Sequence, residues 1–161
     1  MSELEFLGLV DGVPARSPLE RALAPAGPHL AIRDLSLELG KIEVRGALNG
    51  ELQGEVVRIT PERALVLCNT SEAEAVRARA REQGLLAIDM TGALAGLEVR
   101  GEQLMRRLTY LDLDALPAVG SVAHVPATVT REGETFRIFF PQEYGHYVAE
   151  VVVDTAEGLS R

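Results

Sequence analysis

"IEVRG" (residues 42–46) and "LEVRG" (residues 97–101) are two nearly identical pentapeptides within one chain of 161 residues. Each closes an apolar/polar alternation, the two-residue period of a strand with one face buried, and each ends in glycine. Ile42 and Leu97 stand 55 residues apart. A second correspondence sets "ALVLCNTSEAEAVRA" (64–78) against "FRIFFPQEYGHYVAE" (136–150), matching strand, cap and helix at a spacing of 72. The spacing has grown by 17 residues, about one helix and its loop, and only the second half has a helix pattern after its EVRG strand. The chain reads as a β-α-β-β-α unit written twice, the first copy lacking its first helix. Two such copies in one sheet with helices on a face make an α+β domain, ferredoxin-like in character.

Working outward, residues 1–16 show no clear periodicity and are expected to form an N-terminal arm, with 17–161 as one domain. "SPLERALA" (17–24) opens with a capping serine and a proline at the first helical position. "HLAIRDLSLELGKIEVRG" (29–46) alternates well enough for two strands, and "GEVVRI" with "ALVLC" forms a hairpin turning at "TPER". In the following helix, Ser71 and Glu74 have the spacing of a capping box, Ala73, Val76 and Ala80 form a thin apolar face, and Gly84 is the stop. In the second half, "LLAIDM" and "GALAGLEVRG" are strands joined at "DMTG", followed by a helix with Leu104, Met105, Leu108 and Leu111 on one face. "VAHVPATVTREGETFRIFF" (122–140) is a hairpin turning at "REGE". The last segment places Tyr144, Tyr147, Val148, Val151, Val152 and Thr155 at helical spacing, so a helix is expected despite its valines, ending at Gly158. A first half short of one helix leaves its sheet less covered, a gap for a partner or the N-terminal arm.

With 47% hydrophobic and 25% charged residues the composition is that of an ordinary globular domain. No apolar run approaches the roughly 18 residues of a membrane span. The acidic opening "MSELEFLGLVDG" lacks the basic start of a secretory signal, so the expected compartment is the cytoplasm, which suits the single cysteine, Cys68. A net charge of −8 repels phosphate backbones and anionic lipid, so neither nucleic acid nor membrane is an expected partner. Lys41 is the only lysine.

Residues that carry chemistry are sparse. His29, His124 and His146 are scattered, with His124 in an expected strand and His146 on the last helix, and no metal-ligand spacing links them. No glycine-rich nucleotide loop and no nucleophile elbow is present, and Cys68 in an apolar strand is a poor nucleophile. Asp89 stands out: it ends the strand "LLAID" beside Thr91 and Gly92, where a carboxylate accepts hydrogen bonds from a turn. Turn capping is the expected role, with a general base as the alternative. Asp112 and Asp114 finish a helix and its loop, and Glu132 and Glu134 flank a solvated turn.

"AIDMTGALAGLEVRGEQLMRRLTYLDLDALP" resembles a stretch of folate-binding aminomethyltransferase-type domains through Asp89-Met90-Thr91, Gly101, Leu108-Thr109, Asp112 and Leu116-Pro117. Taken from residue 17 to about 157, the chain is more similar to the gamma subunit family of heterotetrameric sarcosine oxidase. The order "SPL", "RDL", "GKIEVRG", the "PE" hairpin and "FRIFFPQEYGHYVAE" carries that likeness. The resemblance implies a fold like the folate-binding domain of the glycine-cleavage T-protein. It implies a non-catalytic assembly subunit of a bacterial flavoenzyme that oxidatively demethylates sarcosine. Its partners would be alpha- and beta-like flavoprotein subunits, with self-association open to the isolated chain. FAD, FMN, NAD and tetrahydrofolate would reside on those partners and none on this chain, and zinc on a small delta subunit. No residue of "TREGETFRIFF" matches the T-protein's catalytic aspartate. The alternative is a standalone folate-binding module, for which Asp89, Thr91 and Asp112 would line the site.

Overall fold

The computed structural model describes residues 14–160, so most of the expected N-terminal arm, residues 1–13, lies outside the described residues. Ser17 accepts the Leu19 N–H through its hydroxyl at 3.1 Å, and a single helical turn, α1 (Glu20–Leu23), follows. The first half continues with β1 (Arg33–Asp34), β2 (Leu39–Arg45), β3 (Glu55–Thr60), β4 (Arg63–Asn69) and α2 (Ala73–Glu82). The second half holds β5 (Leu86–Asp89), β6 (Leu94–Arg100), α3 (Glu102–Leu108), β7 (Ala118–Val122), β8 (Val125–Glu132), β9 (Thr135–Pro141) and α4 (Gly145–Leu159).

The chain is α+β as expected, but its strands form two antiparallel sheets where one was expected. One sheet has the order β3-β4-β2-β5, the other β1-β6-β9-β8-β7. The reason lies in strands that are apolar on both faces and therefore need cover on both. In β4, Ala64 and Val66 face α2, while Leu65 and Leu67 face the other sheet. In β9, Phe136, Ile138 and Phe140 join α1, α3 and α4 in the main core, while Phe139 crosses to meet Val57, Leu65 and Leu67. The layers run helix, sheet, sheet, helices.

The short strands are exchanged. β1 precedes β2 in the chain yet pairs with β6, Asp34 opposite Leu97. β5 precedes β6 yet pairs with β2, Asp89 opposite Ile42. The surrounding bonds match one for one at the 55-residue spacing. Ser36 N–H donates to Asp34 Oδ1, and Thr91 N–H to Asp89 Oδ1, both at 2.9 Å. Leu35 N–H donates to the Gly96 carbonyl, and Met90 N–H to that of Lys41, both at 2.8 Å. Gly96 N–H reaches Ser36 Oγ at 3.2 Å, and Lys41 N–H reaches Thr91 Oγ1 at 3.0 Å.

Local readings met several corrections. No side-chain capping bond forms at α2, so the Ser71/Glu74 box is not made; residues Thr70–Glu72 wind as a 3-10 turn after extended Asn69. Thr70 spends its hydroxyl on the Leu37 carbonyl at 2.7 Å. Gly84, at φ +78, does close α2, with Leu85 N–H donating to the Ala80 carbonyl at 3.1 Å. α3 stops at Leu108 because Thr109 is extended and bridges to Val122, which puts Leu111 off the helix and over Gly120 of β7. His124 lies in a turn, not in a strand: Ala123 and His124, at φ +49 and +66, join β7 to β8 in a tight hairpin. α4 is a helix as expected, but its buried face is Val148, Ala149, Val152, Val153 and Ala156; Tyr144 and Tyr147 are both 44% exposed and Gly158 lies inside it. The gap expected in the first half is closed by its own loop. Leu48 is buried and Leu52 packs on the α2 core, held by Arg58 on the Leu48 carbonyl (3.1 Å) and Gln83 on that of Glu51 (2.7 Å).

Phe139 is the large side chain that the two sheets share. Phe139→Ala is expected to lower the unfolding free energy by about 3–5 kcal/mol, and Tyr147→Ala by less than about 0.5 kcal/mol, in urea titrations.

Candidate functional site

The inner faces of the two sheets do not close completely. A cavity of about 170 Å³ remains between them, with Ile59 and Leu65 on one wall and Leu94, Val119, Pro126 and Phe139 on the other. Its polar end is Glu43 and Arg63. The alternation in "KIEVR" sets this: Ile42 and Val44 turn to α2, so Lys41 and Glu43 are buried on the other face, while Arg45 ends the strand half exposed. Glu43 lies opposite Leu65 of β4 and is only 6% exposed. Arg63 Nη2 donates to Glu43 Oε2 at 3.0 Å, and Arg45 donates to Oε1. Burial pushes the Glu43 carboxyl up, but the two guanidiniums outweigh it and hold the group below the usual carboxylate range. Arg63 Nε is buried with no acceptor. At the margin of this face, Leu86 and Ile88 of β5, opposite Arg45 and Glu43, and Val119 of β7 are exposed.

Lys41 occupies the centre of the strand exchange. It is completely buried, and Nζ donates to the Ser36 carbonyl at 2.8 Å. Burial lowers its pKa to about 8, partly opposed by the Asp34 and Asp89 carboxylates that the exchange brings near it. The position at the matching place in the second half is Gly96, over which the Phe139 ring lies, within 3.2 Å of an added Cβ.

Asp89 and Thr91 come together in one turn: the carboxylate caps the Thr91 N–H and the Thr91 hydroxyl accepts from Lys41. Turn capping, the expected role, is what Asp89 performs. Asp112 is not near them. It caps the 3-10 turn Leu113–Ala115, accepting from Asp114 N–H at 3.1 Å. Asp114 in turn pairs with Arg131, which also holds Glu102, just past the far end of β6. A seven-residue strand separates these two places, a distance of about 20 Å. Cys68 is buried, and burial, then Glu72 and Asp89, push its thiol up, away from reactivity. Among the described residues no group of histidine, cysteine and carboxylates is placed to hold a metal ion, and no helix is long and apolar enough to cross a membrane. Sequence reading missed Glu43, Arg45 and Arg63 as a cluster. The available signal was three charged residues alternating with two apolar ones in a strand whose partner "ALVLC" has no polar face to match.

No protein-family profile matches the chain, and no curated protein matches it in sequence. Its fold is nevertheless shared. A chain of the heterotetrameric sarcosine oxidase from Corynebacterium sp. U-96 superposes with a TM-score of 0.74 at 14% identity, over 91% of this chain and 97% of that one. The resemblance read in the sequence therefore holds at the level of the fold. A chain of a structure of aspartokinase alpha and beta subunits matches more loosely, with a TM-score of 0.50 and 10% identity over 80% of this chain and 97% of that one.

Because the Lys41 pKa falls from an ordinary 10.5 to about 8 on folding, the unfolded chain holds more protons between those values. Stability is therefore lowest below about pH 8 and rises toward pH 10.5. The unfolding free energy of the wild type minus that of Lys41→Met is expected to rise by about 2–3 kcal/mol across this window. An amine-directed acetylating reagent, read by peptide mass spectrometry, is expected to leave Lys41 unmodified in the native protein and to modify it in urea.

Proposed function

We propose that this chain is a non-catalytic assembly subunit of a sarcosine-oxidase-type heterotetrameric flavoenzyme, the complex oxidatively demethylating sarcosine. The observation that carries the reading is a fold shared almost end to end with a chain of that enzyme, on top of motifs that run in the same order. On this reading the partners are alpha- and beta-like flavoprotein subunits in the cytoplasm, and FAD, FMN, NAD and tetrahydrofolate sit on them. The roles of Asp89, Thr91 and Asp112 as local caps favour a structural chain over a folate-binding module, since each is already engaged in holding its own turn. Two half-exposed tyrosines, Tyr144 and Tyr147, at the start of α4 suit a partner contact, because tyrosine joins a large apolar ring to a hydroxyl that tolerates water.

The two halves are, on the same reading, copies of one β-α-β-β-α unit, the first without its first helix. Support comes from the bonds that repeat at a fixed 55-residue spacing and from β4 and β9, whose first residues Arg63 and Thr135 stand 72 apart, as do Ala73 and Gly145 at the starts of α2 and α4.

A tagged copy expressed in its native cell is expected to co-purify with two large flavin-containing chains and to elute yellow. Tyr147→Glu is expected to weaken that co-purification at least tenfold while leaving the urea midpoint of the isolated chain unchanged. A colourless single species would sink the reading, and tetrahydrofolate titration of that species would then decide for or against the folate-binding alternative.

A further inference from the structure

The outer strand of a sheet presents unpaired backbone groups, which invite another chain unless the strand is short, bulged, charged or covered. Among the described residues, three of the four sheet edges are managed in those ways. β1 is two residues long. β3 carries Glu55 and Arg58 and a register shift between Arg58 and Thr60. β7 is bordered by extended Thr109, which bridges to Val122 and donates its hydroxyl to the Ser121 carbonyl at 2.6 Å. The fourth edge, β5, reads "LAID", with neither a bulge nor a proline.

Met90 N–H donates to the Lys41 carbonyl, and bonded residues alternate along an antiparallel ladder. Ile88 and Leu86 therefore bond to β2, and the backbone groups of Ala87 and Asp89 point away from it. The Ala87 carbonyl bears this out, since its partner is Arg81 Nη2 of α2, at 3.4 Å. On one face of the edge Leu86 and Ile88 are exposed. On the other Ala87 is buried under α2, while Arg81 and Asp89 are exposed. Asp89 holds the Thr91 N–H with Oδ1, which leaves Oδ2 for a second donor. The edge is complementary to a twofold copy of itself. Antiparallel pairing centred on Ala87 lets the two Ala87 residues exchange N–H and carbonyl. It also sets Leu86 beside Ile88 of the second copy, in the kind of pair where side chains come closest. Asp89 then falls opposite Leu85 of the second copy, on the face where that copy's Arg81 reaches it. One such contact consumes the open edge of both copies, so the assembly closes at two.

We propose that two copies of this chain pair through β5 in an antiparallel twofold dimer centred on Ala87, joining their four-stranded sheets into one. The surface is separate from Tyr144 and Tyr147, which lie on the helix layer over the other sheet, so the dimer does not rest on the assembly proposed above.

Sedimentation equilibrium on the full-length chain tests it from about 5 µM to about 500 µM, because a contact built on one short strand belongs with small, transient interfaces. The expected result is a reversible monomer–dimer equilibrium. Ile88→Lys, at an exposed side chain, is expected to raise its Kd by about tenfold with the urea midpoint unchanged. Arg81→Glu, which sets a carboxylate against Asp89 of the second copy, is expected to weaken it as well, and Tyr147→Glu to leave it unaltered. Register is read by mixing Leu86→Cys and Ile88→Cys chains with oxidised glutathione, where the mixed disulfide is expected to dominate over either self-linked product. A chain that stays monomeric throughout, a dimer insensitive to Ile88→Lys, or disulfides that form as readily within each variant alone would each overturn the proposal. A monomer whose Ala87 and Asp89 amides are protected from exchange only in a purified multi-subunit complex would overturn it too, and assign the edge to a partner's strand.

Discussion

Exchange of the two short strands is the constraint on which the rest of the structure depends. β1 and β5 are two and four residues long, too short to persist on their own. Each is held by an aspartate that caps the turn after it and by a hydroxyl, Ser36 or Thr91, that accepts a backbone N–H from the opposite half. Neither sheet is therefore complete without residues from the other half of the chain. The inner faces of β4 and β9 add a second reason for the halves to stay together, since Leu65, Leu67 and Phe139 would face water if they parted. Short segments with long-range partners make folding of the halves mutually dependent.

Similar halves are not equal halves, and the inequality shapes the cleft. In the second half Gly96 leaves room for the Phe139 ring, which closes the seam with apolar contact. At the matching place the first half carries Lys41, whose ammonium must be accommodated by the Ser36 carbonyl and the two turn aspartates. Such a buried cation is destabilising in itself, and a buried charge is retained at a cost. Its neighbours Glu43 and Arg45 continue the polar stripe, so one end of the inter-sheet space is charged and the other apolar. The α3 and α4 helices give the second half a deep core, whereas the first relies on Ala73, Val76 and Ala80 and on the loop that carries Leu48 and Leu52.

The carboxylates that stood out in the sequence serve the fold itself: Asp89 and Asp112 each cap a turn of their own. The seam between the sheets is closed differently at its two ends, by the Phe139 ring beside Gly96 and by the Glu43–Arg63 ion pair.

Much of the fold was legible in residues whose role is local or repeated. The EVRG strands, the "TPER" and "REGE" hairpins, Gly84 as a stop and Asp89 as a turn cap follow from periodicity and backbone geometry, which neighbouring residues decide. The capping box at Ser71, the end of α3, the hairpin at Ala123–His124 and the outward tyrosines of α4 were not legible so. Each was settled by a distant partner: Leu37 for Thr70, Val122 for Thr109, the Leu108 carbonyl for Ala123, the main core for the α4 valines. The sequence by itself determined most of the longer strands and helices and that two of its regions match, because a strand's alternation and a helix's period are written in consecutive side chains; it did not show β7 or reduce the Leu30–Leu37 alternation to the two residues of β1. Only the tertiary structure decided that the matching regions trade edge strands, split into two sheets and enclose Lys41, Glu43 and Arg63 between them. Those outcomes depend on which faces remain uncovered once every element has formed, and no single segment contains that information.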